Sequence, residues 1–176
     1  PAFTGSQVTY WLYKTGVRSF DEMTNLSKQA RNLLNENYSM GINEPVNVQV
    51  SADGTKKYLF GTRGGKFIET AYIPDEKRHT LCVSSQVGCK MGCLFCMTGK
   101  QGFQAHLTAG EILNHLRSIP ERSLITNVVF MGMGEPFDNL DAVMQAQEVL
   151  TAEYGFALSV RKVTVSTIGI VPGMDY

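Results

Sequence analysis

Cysteine is scarce in this sequence. The 176 residues include only four cysteines, and all of them lie between Cys82 and Cys96. A small secreted domain held together by disulfides would distribute its cysteines along the chain, so this class of protein is excluded. Thiols that cluster within one segment instead indicate a metal site.

Long hydrophobic runs and an excess of charge of either sign are also absent. No stretch is long enough to span a bilayer or to form the apolar part of a signal peptide, so we expect a cytoplasmic protein with no membrane partner. Sixteen basic residues balance sixteen acidic residues. Because the overall charge does not indicate a nucleic-acid partner, any RNA-binding surface must be local.

Both ends of the chain suggest that it is incomplete. Pro1 occupies the position of an initiator methionine. The chain also stops soon after its last predicted strand, and an open parallel sheet of three strands would leave an unpaired edge. We therefore expect a fragment that lacks a part at each end.

Residues 1–44 predict an N-terminal helical accessory region. Its serines are candidate N-caps of short helices, namely Ser6, Ser19 and Ser27, and the spacing from Ser19 to a later glutamate is that of a capping box. Gly16 is expected to end the first helix.

After residue 44 the periodicity changes. Residues 45–75 alternate apolar and polar side chains around DG and GG turns, which predicts an antiparallel β-meander. Residues 76–176 alternate strands with helices, one of them capped by Thr108, which predicts right-handed βαβ units in a parallel sheet. The predicted fold class is α/β, a partial (βα) barrel preceded by a small helical and β-meander accessory region.

Three of the cysteines form the pattern C-x₃-C-x₂-C on the loop that leaves the first strand of the βα region: Cys89, Cys93 and Cys96. Thiolates bind zinc or iron–sulfur clusters. A structural zinc site usually takes four ligands from two separated pairs, whereas Cys82, the fourth thiol, lies on the preceding strand. A cluster held by three cysteines leaves one iron open to substrate, but the pattern alone leaves zinc as an alternative.

Longer blocks of sequence resemble a known family. CVSSQVGCKMGCLFCMTGKQGF, LTAGEI, NVVFMGMGEP and LSVRKVTVSTIGIVP follow one another as they do in the radical S-adenosylmethionine (SAM) enzymes of the RlmN/Cfr type, which methylate adenosine in RNA. WLYKTGVRSFDEMTNLSK and IETAYIP resemble the N-terminal accessory region of that family. The resemblance covers nearly the whole chain and implies that residues 76–176 are the first half of a radical SAM barrel.

The resemblance implies two sets of cofactor ligands. Three cysteines would hold a [4Fe-4S] cluster with one open iron: Cys89, Cys93 and Cys96. Three residues that follow the second and third barrel strands would contact SAM: Gly134, Glu135 and Ser166. The residue types suit these roles, because a glycine lets backbone approach a ligand and a carboxylate pairs with the SAM ammonium group.

Two further residues match catalytic positions of the family. The cysteine that matches Cys82 resolves a covalent protein–RNA intermediate by attacking a methyl-carrying cysteine, which implies a disulfide bond. Glu69 matches a glutamate that is assigned proton transfer on the adenine. From the residues alone, Cys82 is equally a small buried side chain and Glu69 a solvent-facing carboxylate.

The implied function is methylation of carbon 2 of adenosine in 23S rRNA and in tRNA. One SAM molecule would methylate the carrier cysteine, and a second would be cleaved to a radical that abstracts hydrogen from that methyl group. An electron donor such as flavodoxin or ferredoxin is implied, as is a monomeric full-length protein. The family places its carrier cysteine beyond the end of this chain, so the chain is expected to be inactive alone.

Two alternatives stay open at this point. A Cfr-type enzyme would methylate carbon 8 of the same rRNA adenosine, although GKQGF and the proline of GMGEP favour carbon 2. A protein of a different class would bind RNA through a structural zinc module without catalysis. Candidate phosphate contacts for any RNA partner are the basic residues Lys56, Lys57, Arg63, Lys66, Lys77, Arg78 and Lys100.

Overall fold

A computed structural model of the chain describes residues 2–174. The helices are α1 (Ala2–Thr9, followed by a π-helix over Tyr10–Thr15), α2 (Lys28–Asn37), α3 (Met97–Lys100), α4 (Ala109–Arg117), α5 (Leu140–Thr151) and α6 (Val171–Met174). The strands are β1 (Pro45–Val50), β2 (Lys56–Gly61), β3 (Phe67–Pro74), β4 (His79–Cys82), β5 (Gln86–Val87), β6 (Ala105–His106), β7 (Asn127–Phe130) and β8 (Val163–Val165). Short 3₁₀ helices cover Phe20–Glu22, Pro120–Leu124, Pro136–Asn139 and Val160–Lys162.

The N-terminal helical region has a small core of its own. Its buried side chains are Val17, Phe20, Met23 and Leu26. The predicted caps at Ser19 and Ser27 are confirmed, since each side chain accepts a backbone hydrogen bond from the following helix. Gly16 ends the π-helix in the left-handed conformation, with φ 75°. The prediction that Ser6 caps the first helix is wrong, because α1 begins at Ala2 and Ser6 lies inside it.

Six strands form one mixed sheet in the order β1-β2-β3-β4-β7-β8. Strands β1 to β4 are antiparallel neighbours, whereas β4, β7 and β8 are parallel. Both the predicted meander and the predicted parallel strands are therefore confirmed. The pairing of β3 with β4 joins them into a single sheet, while the division of the chain at residues 44 and 75 stays a prediction.

The two faces of this sheet differ. One face carries buried side chains that pack against α4 and α5, among them Phe60, Ile68, Leu81 and Val128. Full burial of an aliphatic side chain of this size contributes roughly 1.5–3 kcal/mol. Since successive strand residues point to opposite faces, the residues between these lie on the other face.

The direction of the strands places the loops at two opposite ends of the sheet. Strands β4, β7 and β8 all finish at one end, which we call the cysteine-loop end because the loop of residues 88–104 follows there. Strand β3 runs antiparallel to β4, so the β2–β3 turn (62–66) lies at this same end. The β1–β2 turn (51–55) and the β3–β4 turn (75–78) lie at the far end.

The helix α4 begins as its sequence predicts. Thr108 and Glu111 form a complete capping box, in which each side chain accepts a hydrogen bond from the other residue's backbone N–H. None of the helices in the described part of the chain has the length and apolar content that a bilayer crossing requires.

Candidate functional site at the cysteine loop

The loop that carries the three cysteines is closed at its base. Strands β5 and β6 pair antiparallel, with Val87 opposite Ala105, and the Gln104 N–H donates to the Val87 carbonyl at 2.9 Å. Gly88 has φ +71° and packs against the Gly102 carbonyl, which a side chain at position 88 would overlap. Cys89, Cys93 and Cys96 therefore lie on one closed loop that directly follows β5.

The thiols on this loop are accessible and uncommitted. All four cysteines are free and partly buried. A hydrogen bond from the Gly99 backbone N–H, assisted by Thr98, lowers the pKa of the Cys96 thiol. The thiolate, which is the form that binds metals, is therefore favoured there. Leu94 and Phe95, which lie between Cys93 and Cys96, are 91% and 92% exposed, so these two side chains pack against little of the described chain.

The side chains of this loop are not gathered around a common centre. Within residues 2–174, no three His, Cys, Asp or Glu side chains are close enough together to hold a metal ion. The donor set itself fits an iron–sulfur cluster, because three thiols on one exposed loop supply three ligands. Binding would require the cysteine side chains to turn toward one another.

A polar network ties the cysteine loop to the segment that follows β7. Lys90 forms an ion pair with Asp138 at 2.9 Å and lies over the Phe103 ring at 4.5 Å. The fully buried Gln86 donates from Nε2 to Asp138 at 2.7 Å and lies 3.2 Å from His106. Burial alone would raise the pKa of Asp138. The hydrogen bonds from Lys90 and Gln86, together with the positive charge of Lys90, outweigh this effect and lower the pKa.

Gly134 brings the backbone after β7 against the backbone after β4. Its φ is +98°, and a Cβ there would lie 2.5 Å from the Gln86 Cβ. The next backbone N–H, that of Glu135, donates to Gln86 Oε1 at 2.9 Å. Only glycine accommodates both this conformation and this contact with Gln86, whereas the predicted approach to a ligand stays a prediction.

The Glu135 side chain is buried, at 4% exposure. Its carboxylate accepts hydrogen bonds from Phe137 N at 3.0 Å, from Thr167 Oγ1 at 2.6 Å and from Ile168 N at 3.0 Å. It takes part in no ion pair with a cationic side chain of residues 2–174. Glu135 thus joins the segment after β7 to the segment after β8, where Ser166 is exposed.

Glu69 and Cys82 lie on the sheet face opposite the main core. Ala71 pairs with Cys82 across β3 and β4, and Glu69 is two residues from Ala71 on the same face. The Ser84 hydroxyl donates to the Glu69 carbonyl at 2.6 Å, which places Glu69 beside the exit of β4. Lys57 forms an ion pair with Glu69 at 3.0 Å. Burial raises the pKa of the Cys82 thiol, although a hydrogen bond from Met131 N–H opposes this.

A cavity of about 390 Å³ lies away from the cysteines. It is bounded by the β2–β3 turn, by the linker near Asn43 and by α4. His115 borders it, is fully buried and has no hydrogen-bond partner in the described chain for either ring nitrogen. Desolvation lowers the pKa of His115 to about 3.

Two family models match this chain. The model described as the radical SAM superfamily matches residues 83–175, and the model described as the ribosomal RNA large subunit methyltransferase N-terminal domain matches residues 1–40. The first match covers more than half of the chain and includes the cysteine loop. The chain belongs to the radical SAM superfamily.

Similar proteins carry RNA methyltransferase names. A probable dual-specificity RNA methyltransferase RlmN from Phocaeicola vulgatus is 58% identical over 99% of this chain and 50% of its own length. The dual-specificity RNA methyltransferase RlmN from Halorhodospira halophila is 47% identical over 98% of this chain and 49% of its own length. The chain thus spans about half the length of these curated relatives, and the expected resemblance to the RlmN type is confirmed.

A solved structure confirms the fold class. The crystal structure of a radical SAM methyltransferase from Sphaerobacter thermophilus matches with a TM-score of 0.91 and 39% identity, over 99% of this chain and 53% of that one. Membership of the superfamily also confirms the expected cofactors, a [4Fe-4S] cluster and SAM. The assignment of individual residues to those cofactors stays a prediction.

Several polar residues at the cysteine-loop end could not be recognised as site residues from the sequence. Gln86, Lys90, Asp138 and Thr167 link the three loops at the cysteine-loop end, yet none belongs to a recognisable ligand pattern. Their partners are 32 to 52 residues away along the chain. Only their positions beside the cysteine pattern and beside GMGEP pointed to this region.

Proposed function

We propose that this chain is part of a radical SAM methyltransferase that methylates carbon 2 of adenosine in 23S rRNA and in tRNA. One observation carries the proposal. The sheet brings the three-cysteine loop, the Gly134–Glu135 segment and the end of β8 to one end, with Glu69 and Cys82 on the adjoining open face. The names of the relatives support RNA as the substrate class.

The cofactors would be held by the residues at this end. Cys89, Cys93 and Cys96 would ligate the cluster and leave one iron open for SAM. When bound, the cluster and SAM supply a carbon-centred radical, which suits a ring carbon that is too electron-poor to attack a methyl cation. A non-catalytic zinc module would need a fourth ligand, and Cys82 on the strand lies outside the loop.

The SAM side of the site would be shaped by the loops after β7 and β8. The backbone at Gly134 would approach SAM, and Ser166 offers an exposed hydroxyl. The buried Glu135 carboxylate has three neutral donors but no cationic partner in the described chain. A ligand ammonium group would supply the missing positive charge.

The RNA side of the site would use the open sheet face. Glu69 would move a proton on the adenine, and its ion pair with Lys57 fixes where the carboxylate stands. Cys82 would resolve the protein–RNA intermediate by attacking the methyl-carrying cysteine. Burial raises the pKa of Cys82, which favours its neutral thiol form.

The cellular setting follows from the proposed substrates. Ribosomal and transfer RNA are found in the cytoplasm, so we place the protein there. The radical step needs one electron at a time, which a flavodoxin or a ferredoxin would donate. We propose a monomeric full-length protein.

The test is to identify the methylated product. The full-length product of the gene is reconstituted anaerobically and supplied with methyl-labelled SAM, a reductant and either a 23S rRNA fragment or tRNA. We expect labelled 2-methyladenosine after nuclease digestion and mass spectrometry. Labelled 8-methyladenosine would establish the Cfr-type alternative, and absence of any label in RNA from a cluster-loaded protein would reject the proposal.

A further inference from the structure

The β2–β3 turn, residues 62–66, projects at the cysteine-loop end of the sheet. Its sequence is TRGGK, and Gly65 adopts φ +69° with open space where a side chain would be. The Arg63 backbone N–H donates to Glu111 Oε1 at 3.3 Å. This contact holds the turn beside the first turn of α4, which follows the cysteine loop.

The turn carries free positive charge. Arg63 and Lys66 are exposed, and neither takes part in an ion pair within residues 2–174. Three other lysines, by contrast, form ion pairs with carboxylates: Lys56 with Glu121, Lys57 with Glu69 and Lys90 with Asp138. The Glu111 carboxylate, which accepts from the Arg63 backbone N–H, also accepts from the Thr108 backbone N–H and hydroxyl.

The far end of the sheet has a different balance of acidic and basic residues. Its β1–β2 turn contributes Asp53, and its β3–β4 turn contributes two acids and two bases: Asp75, Glu76, Lys77 and Arg78. The eight residues of β3 separate the two ends by roughly 26 Å. Exposed charges are screened over about 8 Å at physiological salt, so the two ends act independently on a charged partner.

We propose that the β2–β3 turn contacts the RNA backbone, with Arg63 and Lys66 on phosphates, and that Lys77 and Arg78 do not. The inference rests on the proposed function, since it takes RNA as the partner. Glu69 lies three residues along the chain from Lys66, a separation of about 10 Å in extended backbone, so an RNA whose adenosine lies beside Glu69 is within reach of the turn. Gly64 and Gly65 add no side-chain bulk to the turn, so phosphates can approach the charged groups of Arg63 and Lys66 from several directions. Phosphate contacts of this kind position the RNA without reading its sequence.

The test compares two matched double variants. R63Q/K66Q removes the charges of the turn and keeps polar side chains there, while K77Q/R78Q removes the same charges at the far end. Binding of a fluorescein-labelled RNA stem-loop is followed by anisotropy from about 50 to about 300 mM KCl. We expect R63Q/K66Q to bind on the order of tenfold more weakly and its salt dependence to fall by about 1.4–1.8 in log–log slope. K77Q/R78Q should match the unaltered protein within about twofold.

Controls separate the proposed surface from folding and from the proposed function. The charge-conserving variant R63K/K66R should retain the salt dependence, and circular dichroism should give the same melting curve for all variants. Equal losses of RNA affinity in the two double variants would reject the β2–β3 turn as the RNA-binding surface, although RNA would remain a ligand. No RNA binding by the unaltered protein, with iron and SAM bound normally, would overturn both the surface and the RNA substrate.

Discussion

The Glu135 carboxylate accepts a hydrogen bond from the Thr167 hydroxyl at 2.6 Å, although 32 residues separate the two in sequence. This bond joins the loop after β7 to the loop after β8. Glu135 therefore has a structural role in addition to the SAM contact that we propose, and a test must separate the two.

Glu135→Gln keeps the size of the side chain and removes its charge. If the carboxylate pairs with the SAM ammonium, the variant should bind SAM about ten- to a hundredfold more weakly, as expected for loss of a charge-assisted contact of roughly 1.5–3 kcal/mol. Thr167→Val removes one of the two hydrogen bonds that join these loops but keeps the carboxylate, so it serves as the control. Calorimetric titration of the cluster-loaded proteins measures both. Equal weakening in the two variants would mean that Glu135 acts through the loop alone.

Gly134→Ala should distort the site and destabilise the fold. A Cβ at this position meets Gln86 at 2.5 Å, and the backbone has φ +98°. Strain of this kind, together with the contact, costs on the order of 1–3 kcal/mol. Gly61→Ala is the control, because nothing lies within 4 Å of a Cβ there. Thermal melting should show a clear loss for the first variant only, and similar melting temperatures would refute the assigned contact.

His115 should make the fold less stable at acidic pH. Its pKa is lowered to about 3 by burial, whereas an unfolded histidine titrates near 6.5. As pH falls below 6.5, the unfolded state gains a proton that the folded state does not. The free energy of unfolding therefore decreases, by about 2 kcal/mol at pH 5 from this residue.

The matched variant is His115→Leu, which cannot titrate. Urea unfolding at pH 7.5 and at pH 5 should show a smaller difference in stability for this variant, by about the same 2 kcal/mol. An unchanged pH dependence would show that His115 is protonated equally in both states.

Glu69→Gln should abolish most methyl transfer in the full-length protein. Loss of a general acid or base typically lowers the rate by about 10²–10⁴. Lys57→Gln removes the ion-pair partner but keeps the carboxylate, so a smaller decrease in rate is expected. Single-turnover rates measure both effects. A Glu69→Gln protein with the original rate would exclude proton transfer by this residue.

Local signals in the sequence predicted much of the fold. The caps at Ser19, Ser27 and Thr108 depend on residues within one helical turn, and all three occur in the structure. The cap at Ser6 failed because α1 already begins at Ala2, and the π-helix that follows has no sequence signature of its own.

Long-range contacts could not be predicted in the same way. The pairing of β3 with β4 merges the meander and the parallel strands, and it depends on packing that no local pattern records. The same holds for Lys90 with Asp138, which are 48 residues apart. The cysteine pattern located the site, whereas the polar groups that position its loops became visible only in the fold.

The central claim is that the loop of Cys89, Cys93 and Cys96 holds a [4Fe-4S] cluster with an iron open to SAM. The most direct measurement is anaerobic reconstitution with iron and sulfide, followed by iron counting and by electron paramagnetic resonance of the reduced protein with and without SAM. We expect about four irons per chain, a signal that changes when SAM is added, loss of iron in Cys93→Ala and full retention in Cys82→Ala. Equal loss of iron in both variants, or a chain that binds zinc and forms no cluster, would contradict the account.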